Sequence, residues 1–192
     1  MFKRQPYDSD GLPLDPSHPW NTPSRSYEVD SIPLSVMFPT GLSQSAIPLT
    51  IVCGPPAAGK STYVDKHRRS DDLVIDLDAI IRESFGTARD VRLRDRISGL
   101  RIRNDRMKAL ATYNGEARAA WFCTTAPLPG TRRKWSAMLR PQRVIVILTP
   151  RSECIDRVKR DPERMVIFEI QQSIIDRWWS DYHPWRGDTY TI

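Results

Sequence analysis

The sequence predicts an α/β fold: a mostly parallel, doubly wound sheet with helices on both faces. Three observations carry that expectation. From Ile47 onward, short apolar runs alternate with segments of helical character, the pattern of βαβ units. Two of the runs, Leu73-Val74-Ile75 and Val144-Ile145-Val146-Ile147-Leu148, are almost purely aliphatic, as strands buried on both faces require. A third, Leu49-Thr50-Ile51-Val52-Cys53, runs directly into a glycine-bounded turn and then a helical segment.

Residues 1–46 stand apart. They hold seven of the sixteen prolines and no helical or strand period, so an extended arm is expected. Trp20, Tyr27, Val36, Met37 and Phe38 are too apolar for a pure linker. Part of the arm should therefore dock on the domain or on a protein partner. The remainder, 47–192, reads as one domain. Its first strand is 49–53, followed by a helix over 60–69. A second strand, 73–76, precedes a short helix over 78–85. A longer helix over 91–112 places Ile97, Leu100, Met107 and Leu110 among arginines. Residues 119–123 give the third strand and 131–139 a helix. The fourth strand, 144–148, is followed by Thr149 as cap and Pro150 at a helix start over 151–159. A last helix spans 167–179, with Ile170, Ile174, Ile175 and Trp178 on one face.

Composition excludes several classes. The 192 residues are 40% hydrophobic and 27% charged, ordinary for a soluble chain. No apolar run reaches membrane-spanning length, and the basic N-terminus has no apolar segment behind it, so neither a membrane nor a secretory route is expected. Cys53, Cys123 and Cys154 are widely spaced. They form no disulfide framework or zinc pattern, which fits a reducing cytoplasm.

The strongest chemical signal is Gly54-Pro55-Pro56-Ala57-Ala58-Gly59-Lys60-Ser61. It matches G-x-x-x-x-G-K-[ST] in full, after a strand and before a helix. Backbone N–H groups must converge on phosphate oxygens, so the loop must be tight. The helix opening at Lys60 aims its unpaired N–H groups at the same point. Lys60 supplies a cation to the β- and γ-phosphates, Ser61 a hydroxyl for Mg²⁺, and Thr62 reaches the α-phosphate. A nucleoside triphosphate, ATP with Mg²⁺, is the expected ligand of 54–62, on a P-loop NTPase fold.

Two carboxylates, Asp76 and Asp78, follow the second strand, whereas the third and fourth strands end without an acid. Such a pair projects into the crevice beside the phosphate loop. One acid can deprotonate an acceptor hydroxyl while the other orients the metal or its waters. Either could instead cap the following helix. A basic cluster, Arg157-Val158-Lys159-Arg160-Asp161-Pro162-Glu163-Arg164, reads as a lid at about 160–166 that closes over the phosphates, or as a solvated helix end.

Together these residues resemble the P-loop kinase family of phage polynucleotide kinases, over about 47–182. The segment from Val158 to Arg164 is similar to the lid of that family, whose two arginines four apart hold the donor phosphates. The resemblance implies Arg160 and Arg164 as lid residues and Asp78 as the base for a 5′-hydroxyl, alongside Lys60. The layout is also similar to small P-loop or AAA-type ATP-binding proteins encoded by phages and prophages, which would place it in a bacterial host cytoplasm. Two positions depart from the kinase pattern. The family has an arginine three residues after the base, where Ile81 stands, and an Asp after the third strand, where Thr124 and Thr125 stand.

The net charge is +6, and residues 89–108 carry eight Arg or Lys against three Asp. That stripe suggests a nucleic-acid end as acceptor, single-stranded or at the end of a duplex. A solvated helix face explains it as well. The expected activity is transfer of the γ-phosphoryl of ATP to a 5′-hydroxyl of DNA or RNA. A nucleoside or small-molecule kinase and a non-kinase ATP-binding module of a phage assembly are the alternatives.

Overall fold

Five parallel strands make one sheet in the order β2-β3-β1-β4-β5. They are β1 (Leu49–Cys53), β2 (Leu73–Asp76), β3 (Ala120–Thr124), β4 (Arg143–Ile147) and β5 (Asp188–Thr191). The computed structural model describes residues 32–86 and 92–191. The helices are α1 (Leu34–Met37), α2 (Lys60–His67), α3 (Leu77–Phe85), α4 (Leu93–Ala109), α5 (Pro129–Leu139), α6 (Arg151–Arg160), α7 (Pro162–Met165) and α8 (Phe168–Asp181). This is an α/β P-loop NTPase fold.

Side chains alternate across the pleat, and β1 buries both sets. Leu49, Ile51 and Cys53 join a core with Ile75, Phe122, Trp135, Val146 and Trp178. Val52 points to the opposite face and meets Val64, Cys123, Ile147, Cys154 and Val158. β1 lies between β3 and β4, with Ile51 opposite Phe122 on one side and Val144 on the other. The chain therefore leaves β1 at a topological switch point, where a crevice opens at the strand ends.

Two elements depart from the sequence reading. β5 was not expected, because Asp-Thr-Tyr-Thr carries no apolar run. It is held by Arg132, whose side chain is wholly buried against that of Asp188. Arg132 Nε and Nη2 donate to the two Asp188 carboxylate oxygens, each at 2.9 Å. Its other bonds reach the carbonyls of Ala126, Pro127 and His183, so all five guanidinium donors are used. The other departure is α1, a single turn after Pro33 in a segment expected to be extended.

Residues 32–46 lie on the domain. Arg103 Nη2 donates to the Met37 carbonyl at 2.7 Å, and Asn104 Nδ2 to the Val36 carbonyl at 2.8 Å. The Phe38 ring packs 5.1 Å from that of Trp135, and Ala46 N–H donates to Leu110 O at 2.8 Å. Burial lowers the Arg103 pKa to about 10. The rest of the expected arm, residues 1–31, lies outside the described residues, as do Arg89 and Asp90 of the basic stripe.

α3 and α4 approach closely. A Cβ placed on Gly99 would stand 2.6 Å from Ile81 Cγ1, so glycine is what lets the two helices meet. Ile81 is core, only 1% exposed. No helix of the described residues is long and apolar enough to cross a membrane.

Candidate active site

The loop after β1 is shaped by three left-handed or unusual backbone positions. Gly54 has φ +156°, and a Cβ there would come within 3.0 Å of the Ile147 carbonyl of β4. Ala57 has φ +59°, and Gly59, the N-cap of α2, has φ +90°. The loop thus turns its backbone inward and presents the N-terminus of α2, a site built for anions. Thr149, buried at 3% exposure, donates from Oγ1 to the Ala58 carbonyl at 2.8 Å and ties the loop to the end of β4.

Lys60 Nζ donates to the carbonyls of Gly54 at 3.0 Å and Pro55 at 2.8 Å. The loop's own carbonyls thus hold the ammonium beneath the arch. Burial lowers the Lys60 pKa, while the nearby carboxylates of Asp76 and Asp78 oppose that shift.

Asp76 joins two functions that the sequence left as alternatives. Its Oδ1 accepts from the Asp78 and Ala79 backbone N–H groups at 2.9 and 3.4 Å, which caps α3. Its Oδ2 accepts from Ser61 Oγ at 3.1 Å. A hydroxyl and a carboxylate so close, beside the phosphate loop, are the hard oxygen donors that Mg²⁺ prefers. Asp78 sits half-buried in the first turn of α3.

One cavity of about 770 Å³ collects these groups. Of the expected site residues it is lined by Pro56, Ala57, Ala58, Gly59, Lys60, Ser61, Thr62, Asp76, Asp78 and Arg164. Gly54 and Pro55 serve through their carbonyls. Arg160 is exposed and is not among the lining residues. Arg164 Nε donates to Asp161 Oδ2 at 3.0 Å and Nη1 to Gln171 Oε1 at 3.3 Å. Thr124 and Thr125 line the same cavity.

Arg157, which the sequence reading placed in the basic cluster but not among the named lid residues, lies closer to the loop than Arg160. Its Nη1 donates to the Ala57 carbonyl at 3.2 Å, and Nη2 donates to Glu153 Oε1 at 2.5 Å. The guanidinium therefore lies against the phosphate loop. A Cβ on Gly59 would be 3.1 Å from that same Nη1. The available signal was its place one turn before the Arg160 position on α6, with Glu153 at i−4 to fix it. Arg82 of α3 meets Glu163 of α7 at 3.4 Å, an exposed contact of small energy.

The basic stripe divides in the structure. Arg103 is buried under residues 36–37, Arg106 pairs with Glu83 at 2.9 Å, and Arg92 and Arg101 are exposed. Trp178 is buried and donates to the Thr125 carbonyl at 2.7 Å. Trp185 is partly buried against the main core.

A P-loop set at a parallel-sheet switch point, with Asp76 at the end of β2, the next strand but one, and Asp78 at the start of α3, defines a P-loop nucleotide-binding domain. More narrowly, the chain belongs to the AAA domain family, which matches it over residues 49–184. No match to a curated protein was found. Among solved structures it is similar to a gluconokinase from Sinorhizobium meliloti 1021, at 13% identity and TM-score 0.43, covering 77% of this chain and 83% of that one. It is also similar to shikimate kinase from Acinetobacter baumannii, at 17% identity and TM-score 0.41, with 77% and 84% covered. A putative fructose transport system kinase from Silicibacter sp. TM1040 gives 16% identity and TM-score 0.47, with 82% and 95% covered.

Proposed function

We propose that the protein is an ATP- and Mg²⁺-dependent phosphotransferase acting on a hydroxyl. The observation that carries this reading is the Ser61–Asp76 contact, with Asp78 in the same cavity as the phosphate loop. Asp78 takes the proton from the acceptor hydroxyl as its oxygen bonds to the γ-phosphorus. The bond from that phosphorus to the β,γ-bridging oxygen breaks, and ADP leaves. Lys60, Arg157 and Arg164 offset the charge on the phosphate oxygens. Ser61 and Asp76 would hold Mg²⁺, which supplies positive charge to the same oxygens when bound. In this reading Arg157, which lies against the loop, takes the place the sequence reading gave to Arg160.

For the acceptor we take a 5′-hydroxyl end of DNA or RNA first. The resemblance of the 158–164 segment supports it, as do the exposed Arg92 and Arg101 on the basic helix. A second reading, a nucleoside or other small hydroxyl compound, is favoured by the burial of Arg103, which interrupts the stripe.

The test is transfer from γ-labelled ATP with Mg²⁺ to 5′-hydroxyl oligonucleotides and to nucleosides, with Lys60→Ala as control. Label on oligomers that the control loses supports the polynucleotide reading. Label on nucleosides alone moves the assignment to the second. ATP hydrolysis without labelled acceptor refutes both.

A further inference from the structure

We infer that Ile32 and Met37, held in place by the segment 32–38, are a fixed wall of the acceptor side of the cavity and limit the size of what enters it. The inference rests on the phosphotransferase reading, because it supposes that the side facing Asp78 receives an acceptor.

The cavity has two sides. The phosphate loop, Thr149, Arg157 and Arg164 form the donor side. Beyond Asp76, which meets Ser61 of the loop, stand Leu77 and Asp78 from the start of α3, with Arg96, Leu100 and Arg103 from α4. Ile32 and Met37 also line it. α4 lies between the two parts of that wall. On one flank, Gly99 brings it against Ile81 of α3, which also carries Asp78. On the other, Arg103 and Asn104 grip the 36–37 backbone.

That grip is built of buried groups. Arg103 and Asn104 are 7% and 5% exposed. Arg103 Nη2 donates to Met37 O at 2.7 Å and to Asn104 Oδ1 at 2.7 Å, and Nε also donates to Asn104 Oδ1. Asn104 Nδ2 donates to Val36 O. Lys134 Nζ stands 4.4 Å from the centre of the Phe38 ring. A buried network so connected holds its members in one arrangement. Ile32, 7% exposed, is seated at the start of the segment. Ile32, Met37 and Leu100 give this side apolar surface beside Arg96 and Arg103, suited to one compact unit bearing the reacting hydroxyl, such as a single sugar–base unit, rather than a broad polymer face.

The chemistry of the native thiols makes a direct test available. Cys53, Cys123 and Cys154 are all buried, and burial pushes each thiol pKa above its ordinary value. Met37→Cys in the full chain thus gives one addressable thiol at the wall. Leu34→Cys, at an exposed position in the same segment (Leu34 is 44% exposed), is the reference.

Two measurements follow. Alkylation of Met37→Cys by a bulky maleimide should be at least about tenfold slower than of Leu34→Cys, because Met37 is half-buried at the cavity wall whereas Leu34 is exposed. Once attached, the label at position 37 should lower transfer to nucleosides and 5′-hydroxyl oligonucleotides by about tenfold or more, with ATP affinity changed by less than about twofold. The label at position 34 should leave both unchanged. Equal alkylation rates at 34 and 37 would overturn the wall, whatever the reaction. Unchanged transfer after labelling position 37, or equal loss of ATP affinity, would overturn its role in acceptor size. An unmodified protein that labels no acceptor would instead refute the phosphotransferase reading, and the alkylation rates would still decide the wall.

Discussion

Replacing Asp76 separates two duties that one carboxylate performs. Oδ1 caps α3 through two backbone N–H groups, and Oδ2 faces Ser61. Asp76→Ala removes both. A lost cap of this kind costs about 1 kcal/mol, up to about 2. With a urea m-value of about 2 kcal/mol/M, the unfolding midpoint should fall by roughly 0.5–1 M. Asp76→Asn behaves differently. Its amide oxygen can still accept from Asp78 and Ala79, and Asn caps about as well as Asp, so the midpoint should move by less than about 0.2 M. The negative charge beside Ser61 is nevertheless gone. Transfer at a fixed Mg²⁺ concentration should drop by about a hundredfold or more, equivalent to about 2.7 kcal/mol of barrier. The assay pairs urea unfolding followed by far-ultraviolet circular dichroism with label transfer across a Mg²⁺ titration. An Asp76→Asn protein that is fully stable, transfers at the wild-type rate and half-saturates at the same Mg²⁺ concentration would refute the argument. The carboxylate would then be a helix cap and nothing more.

Other perturbations address the neighbouring groups. Asp78→Asn should abolish transfer while leaving ATP affinity within about twofold, read by titration with a fluorescent ATP analogue. Arg157→Ala should raise the KM for ATP more than that for the acceptor, since its contact is with the phosphate loop. Arg132→Met leaves the Asp188 carboxylate buried without its cation, and should cost about 3–5 kcal/mol. Amide exchange at residues 188–191 should rise in the same variant. Asp72 gives the acid limb of stability. Burial alone would raise its pKa, but the Trp121 indole N–H and the Arg69 backbone N–H, each at 3.0 Å, outweigh that and hold it below its ordinary value. Its contribution is present above the unfolded Asp value of about 3.9 and is lost as pH falls through the lower folded value. Asp72→Asn should therefore flatten the decline of stability in that window, measured by thermal unfolding between about pH 2 and about pH 5.

The parts of this fold that could be read early share one property: their signal is local. β1 and β4 show themselves because aliphatic runs have few other fates in a chain of this kind. The phosphate loop shows itself because its spacing and its flanking strand and helix coincide. β5 does not, because Asp188 becomes a strand residue through Arg132, 56 positions earlier, and nothing in Asp-Thr-Tyr-Thr announces that partner. Arg157 was hidden for the same reason. A basic residue near a helix end looks solvated until the Ala57 carbonyl, 100 positions away, is placed beside it. Asp76 was legible as a functional position but not as both cap and Ser61 partner, since each of its two oxygens has a separate geometry.

The arginines of α4 show how little a charge total says about a partner. Residues 89–108 carry almost the whole net charge of the chain, and taken as a stripe they suggest a polyanion. Arg103 instead turns inward, because a guanidinium can satisfy the carbonyls at a helix C-terminus that have no partner within the helix. Here those carbonyls belong to Val36 and Met37 at the end of α1. Arg106 answers Glu83 of α3. The same helix thus fixes α3, which carries Asp78, and fixes the N-terminal segment that shares the cavity with it. Substitutions along α4 should accordingly be judged first by which of these attachments they release. Exposed positions such as Arg92, Arg94, Arg101 and Lys108 report on a polyanionic ligand without also loosening the wall and the acid-bearing helix.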